Sequence, residues 1–189
     1  YLHGAGERGH DGRAHIGVGL APLIERRQSS FPFVVVFPQC ENVRSRVLQG
    51  WLAESPDAKR AIRILEKVEK DYSIDRSREI LSGWSMGGYG AWSLAAATPK
   101  RWAALVPLAA GGNPEWAEKL KDIPIWMFHG GKDRAVRVQE SRTMFEAIKK
   151  VGGKIRYNEF AEIDHNVWKL VFNQDELFEW VADVSSDGE

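Results

Sequence analysis

The most constraining stretch of this chain is Leu81-Ser82-Gly83-Trp84-Ser85-Met86-Gly87-Gly88-Tyr89-Gly90, which contains Gly-x-Ser-x-Gly at 83–87. A serine set between a strand and a helix must stand on a very tight turn if its hydroxyl is to clear the backbone. Such a turn holds the serine in a strained conformation and brings backbone segments close together, so the flanking positions must lack a Cβ. The surroundings have the required character. Arg78-Glu79-Ile80-Leu81-Ser82 reads as a short buried strand, and Met86 to Ala97 as an Ala- and Leu-rich helix stopped by Pro99. Five-residue matches of this kind also arise by chance in Gly-rich turns; the strand before and the helix after argue against chance here.

The rest of the chain repeats the strand–helix alternation. Phe33-Val34-Val35-Val36-Phe37-Pro38 is an almost wholly apolar, β-rich run, the pattern of a strand covered on both faces. Ala103 to Leu108, Pro124 to His129 and Ile155 to Phe160 are further strands. Ile16 to Arg27 reads as a helix weakened by its glycines, and Asp57 to Tyr72 as an amphipathic helix with Ile62, Leu65, Val68 and Tyr72 on one side. A short helix is expected at Pro114 to Leu120, a helix at Val138 to Val151 ended by Gly152-Gly153, and one or two helices over Val167 to Val181. This alternation predicts an α/β fold, a mainly parallel sheet with helices on both faces, in a single domain over residues 1–189. In such sheets the chemistry sits beyond the carboxyl ends of the strands. The polar stretch 183–189 is expected to fray.

The chain opens without Met on Tyr1-Leu2, which reads as the last step of a strand. Further strands, about half of the sheet, are therefore expected upstream. Without them Val34–Phe37 and Glu79–Ser82 are expected to flank an unfilled slot.

Composition excludes some partners. Lys+Arg and Asp+Glu both number 26, so nothing electrostatic favours nucleic acid or an anionic membrane. No apolar run is long enough to span a membrane. The single cysteine, Cys40, reads as a small buried residue and offers no thiolate cluster; with no H-E-x-x-H either, no metal and no cofactor are expected. The first loop, His3-Gly4-Ala5-Gly6-Glu7-Arg8-Gly9, contains G-x-G-x-x-G, with Glu25 downstream at a plausible ribose distance. A dinucleotide site needs a helix opening on the third glycine, and His10-Asp11-Gly12-Arg13 extends the loop instead. The competing reading is a loop of small residues that leaves a backbone N–H free to face a developing negative charge.

A serine nucleophile needs a base, and the base an acid to fix its tautomer. Of five histidines, His3 is expected to support loop shape, His10 and His15 to be exposed, and His129 to pack at a strand end. His165 follows the last strand, and the order Ser, acid, His along the chain singles it out. Asp133 follows a strand between them; its alternative is a turn or N-cap role. Asp122, Asp164 and Asp175 are worse placed. The anion-binding N–H groups would be those of Met86 and, from the first loop, Ala5.

Five blocks taken in order resemble a known superfamily: His3–Gly9, Phe37-Pro38-Gln39-Cys40, Gly83–Gly90, Phe128-His129-Gly130-Gly131-Lys132-Asp133 and His165-Asn166-Val167-Trp168. They are similar to α/β-hydrolase serine esterases, in particular bacterial carboxylesterases of the phospholipase/carboxylesterase and feruloyl-esterase-like groups. The resemblance covers essentially the whole chain. It implies Ser85 as nucleophile, Asp133 as acid, His165 as base, and Ala5 and Met86 as oxyanion donors. It also suggests Trp51 and Trp168 as substrate-binding residues, with core packing the alternative for both. A small-molecule or polymer-linked ester would be the substrate, and a secreted or periplasmic location is favoured by resemblance alone. A peptidase or amidase on the same machinery, and a hydrolase-like binding module without turnover, are the alternatives.

Overall fold

The computed structural model describes residues 1–44, 46 and 48–184. Four strands, β1 (Ile80–Trp84), β2 (Ala104–Leu108), β3 (Ile125–Gly130) and β4 (Ile155–Phe160), form one sheet in the order β1-β2-β3-β4, every pair parallel. The register sets Leu81 beside Leu105, Leu105 beside Ile125 and Ile125 beside Ile155.

Side chains alternate across this sheet with the period of two that a pleated strand imposes. Leu81, Leu105, Ile125 and Met127 enter one core, while Trp84, Ala104, Val106, Leu108, Trp126 and Phe128 enter the other. The first core is closed by α2 (Pro56–Asp71), α3 (Met86–Ala97), α4 (Ala117–Leu120) and α5 (Val138–Lys150), the second by α1 (Ala21–Arg26), α6 (Trp168–Val171) and α7 (Asp175–Val184). Helices thus cover both faces, as the alternation predicts. Each large apolar side chain so enclosed contributes about 1.5–3 kcal/mol.

Helix ends follow local chemistry. Ser55 caps α2 by accepting from the Ala58 N–H at 3.1 Å, with Pro56 at the first helical position. Tyr72, expected on the packed side of that helix, is exposed and lies just past its end. The expected helix over 16–27 shrinks to α1 behind a 3₁₀ turn at Ala14–Ile16, because Gly17 and Gly19 intervene and Gly19 has φ +71°. In the expected tail, Asp183 and Val184 are the last turn of α7; residues 185–189 lie outside the described residues.

The main departure is at 33–37, which is not a strand. A strand is held by a ladder, and this segment has almost none: the Tyr1 backbone nitrogen donates to Val36 O at 2.9 Å, and Val34 is 66% exposed. Leu2 forms only an isolated parallel bridge to Gly83. Between 33–37 and β1 lies a cavity of about 360 Å³ lined by apolar side chains that include Val35, Leu65, Leu81, Trp102, Phe172 and Phe178. This is the slot anticipated between those two segments.

Candidate active site

Ser85 sits in the turn between β1 and α3 with φ 56° and ψ −120°, a left-handed conformation for a residue with a Cβ. Holding it there costs about 1–3 kcal/mol, which the surrounding packing must supply. The glycines explain how the turn closes. A Cβ on Gly83 would collide with the Gly87 carbonyl, and one on Gly87 with the Leu2 and His3 carbonyl oxygens. The Ser85 N–H donates to Leu108 O at 2.9 Å, which ties the turn to the end of β2.

Two loops beyond the strand ends bring the other candidates to this serine. After β3, Asp133 turns its Oδ1 back to accept from the Ala135 and Val136 N–H groups at 2.8 and 2.9 Å. That is the capping geometry of a turn, the alternative expected for Asp133; its other oxygen, Oδ2, lies 2.7 Å from His165 Nδ1. After β4, the loop 161–166 carries His165, whose Nε2 lies 2.9 Å from Ser85 Oγ. Asp133 is completely buried and His165 is 20% exposed. Burial works to raise the Asp133 pKa, but hydrogen bonds from His129 and His165 and from the Val136 N–H outweigh it. The carboxyl is held well below the usual range and stays ionised.

The first loop lies on the other side of Ser85. Leu2 N–H donates to Ser82 O at 2.9 Å and Trp84 N–H to Leu2 O at 3.1 Å, the reciprocal bonds of one parallel bridge. Ala5 opens a 3₁₀ turn, Ala5–Glu7. Among the described residues, neither the Ala5 nor the Met86 N–H has an acceptor. The loop is latched from behind. His3 is buried; its Nε2 accepts from the Cys40 N–H at 2.9 Å, so its Nδ1 carries the proton and donates to Gly4 O at 2.6 Å. Burial lowers its pKa to about 4, so it stays neutral and serves loop shape, as expected. Cys40 is fully buried against Asp57, and burial with that carboxylate pushes its thiol up to about 12, which makes it inert.

Several expectations need correcting. Trp51 is not on the site's surface: it is fully buried, and its Nε1–H donates to His3 O at 3.1 Å, bracing the first loop from within the core. His15 is buried, not exposed, with Nε2 donating to Phe37 O at 3.0 Å. Trp168 packs against the second core, its ring 6.2 Å from that of Trp84 and its indole N–H buried without an acceptor.

Two residues were missed. Trp84, the variable position before the serine, donates its Nε1–H to His165 O at 2.8 Å and sets its ring 5.0 Å from the imidazole. His129, expected only to pack, places Nε2 3.1 Å from Asp133 Oδ2. The one available signal was spacing: His129 ends a strand four residues before the acid. Among the described residues, no group of three or more His, Cys, Asp or Glu side chains could hold a metal ion, and no helix is long and apolar enough to cross a membrane.

Comparison with known proteins places the chain in a family. Residues 53–176 match the phospholipase/carboxylesterase family. A bifunctional acetylxylan esterase/xylanase from Neocallimastix patriciarum is 32% identical over 110 residues, covering 57% of this chain and 16% of that protein. The crystal structure of a thermostable esterase superposes with a TM-score of 0.84 at 31% identity, over 96% of this chain and 53% of that one. Esterase PE8, at 21% identity and a TM-score of 0.63 over 97% of this chain and 90% of that one, shares the fold. The chain thus spans about half of the thermostable esterase and a sixth of the bifunctional enzyme. With two thirds of its length matched, the chain belongs to the phospholipase/carboxylesterase family and has the α/β-hydrolase fold.

Proposed function

We infer that this chain is a serine carboxylesterase working through an acyl-enzyme. The single observation that carries the reading is the unbroken chain from Ser85 Oγ to His165 Nε2 and from His165 Nδ1 to Asp133 Oδ2, at 2.9 and 2.7 Å. Ser85 Oγ attacks the ester carbonyl carbon while His165 Nε2 takes its proton. Asp133, ionised and buried, fixes the Nδ1–H tautomer and stabilises the imidazolium that forms. The Ala5 and Met86 N–H groups hold the oxyanion, the latter at the start of α3 where the helix field favours negative charge. His165 then returns the proton to the leaving alcohol, and water, activated by the same base, releases the acid and regenerates Ser85.

A fluorophosphonate probe should label Ser85, and Ser85→Ala should lose both the label and hydrolysis of p-nitrophenyl acetate, with kcat down by several powers of ten. A Ser85→Ala protein that keeps full hydrolysis refutes the reading. A wild-type chain that takes no label would instead be a binding module. Comparing an ester with its matched anilide separates esterase from amidase, and acetyl, butyryl, octanoyl and feruloyl esters report the acyl preference.

A further inference from the structure

Behind the acid lies a second histidine in an unusual hydrogen-bonding position. His129 and Asp133 are both completely buried. His129 Nε2 faces two acceptors, Asp133 Oδ2 at 3.1 Å and Val136 O at 3.0 Å. Neither can donate: Asp133 is ionised, and Val136 O is a carbonyl. Nε2 must therefore carry a proton. On the far side of the ring, Nδ1 lies 2.7 Å from Ser141 Oγ, and that oxygen lies 2.7 Å from Ala110 O. A serine hydroxyl has one proton. Ala110 O cannot donate, so the proton must lie between Oγ and Ala110 O, or two oxygen lone pairs would face each other at 2.7 Å in the core. Ser141 Oγ then has only lone pairs for Nδ1, and Nδ1 must carry a proton as well.

We propose that His129 is an imidazolium in the resting protein, a buried cation that shares Asp133 Oδ2 with His165, neutralises the carboxylate and positions it. The neighbourhood suits a cation. Asp133 faces it from the loop after β3, and Glu159 is its register partner on β4. Glu140, next to Ser141 on α5, and the Tyr89 phenol of α3 lie close enough to interact electrostatically with one another, as Tyr89 does with Asp133. Glu159 is itself engaged by Arg142 and the Tyr157 hydroxyl. His165 is the other titratable ring on Asp133. The His129 cation offsets part of the charge of Asp133, so that the carboxylate orients His165 while a second group shares its charge. In this account His129 is a positioning residue that acts through Asp133.

The protonation state is read directly from the side-chain nitrogen NMR spectrum of ¹⁵N-histidine-labelled wild-type protein between about pH 6 and 8, with His129 assigned by its absence in His129→Gln. Both ring nitrogens should sit at the imidazolium position throughout. One nitrogen at the unprotonated position overturns the proposal, and this result needs no turnover. The kinetic consequence rests on the esterase reading. In His129→Gln, which keeps an N–H near Asp133 but not the charge, the acid limb of kcat/KM should move up by about one pH unit. An unmoved limb in a variant with wild-type near-UV circular dichroism also overturns it. If the wild type neither hydrolyses esters nor takes a fluorophosphonate label, the esterase reading fails and the nitrogen spectrum still decides the charge of His129.

Discussion

Gly87→Ala is a severe test of how the elbow and the first loop are fitted together. Position 87 is the second residue of α3, where Ala exceeds Gly in helix propensity by about 1 kcal/mol, so local preference alone predicts stabilisation. The structure reverses that sign. A Cβ built there lies 2.7 Å from His3 O and closer still to Leu2 O. Both are backbone atoms, and both are already committed, Leu2 O to the Trp84 N–H and His3 O to the Trp51 indole. Relief therefore requires the segment 2–3 to withdraw by about 1 Å, carrying Ala5 with it, and a displacement of that size at a catalytic contact costs about 10²-fold. Overpacking costs about 1–3 kcal/mol. At about 2–4 °C per kcal/mol for a domain of this size, the melting temperature should fall by roughly 2–12 °C. Gly6→Ala is the matched control: its Cβ meets nothing within 4 Å, so neither stability nor rate should suffer. Thermal melts by circular dichroism and p-nitrophenyl acetate kinetics read both quantities. A Gly87→Ala protein with an unchanged melting temperature and kcat/KM within about twofold of wild type would refute the claim that this contact sets the site.

Three further outcomes are expected. Trp84→Phe keeps an aromatic ring beside His165 but loses the 2.8 Å bond to its carbonyl; kcat should drop about tenfold with KM little changed, and an equal rise in KM would show that the indole serves substrate binding instead. Arg101 bridges Glu69 and Glu79, both nearly buried; Arg101→Ala leaves Glu79 without its cation, while Glu69 keeps Arg76 at 3.0 Å, and should cost about 3 kcal/mol in a urea melt, without a change in kcat in the surviving folded protein; a loss under about 1 kcal/mol would contradict this pairing. The Asp133 carboxyl is held below the 3.8 of an unperturbed aspartate, so the stability it supplies is complete above that value and drains away as the pH falls below it. The gap in melting temperature between wild type and Asp133→Asn should be widest near about pH 7 and narrow below about pH 4; a gap that widens on acidification would reverse the assigned sign.

What could be read from residue order alone, and what could not, divides along a physical line. The strands at 104–108, 125–130 and 155–160 and the helices at 56–71 and 138–150 show local periodicity, and they form within a residue or two of their expected limits. The elbow was legible because its glycines and serine encode a steric demand within five residues. Asp133 and His165 followed from topology, since both lie just past strand ends. The segment 33–37 misled because its Val-rich composition records suitability for a ladder, and a ladder also needs a neighbour. The burial of His15 and Trp51 and the partnership of His129 with Ser141 and Asp133 depend on packing between elements that no local pattern encodes. Trp84 was hidden in the variable position of its own motif.

The lone bridge between Leu2 and Gly83 has a consequence for how such a site can diversify. It joins the segment that leads to Ala5 to the strand that leads through Ser85 into Met86, so the two stretches that carry those N–H groups start out at the ~4.8 Å separation common to all neighbouring strands. Surface loops can lengthen, shorten or change sequence without recalibrating that separation. On the proposed esterase reading, substrate choice and charge stabilisation would be mechanically uncoupled, and engineering for new acyl groups would rework the rim while leaving the pair of N–H groups untouched.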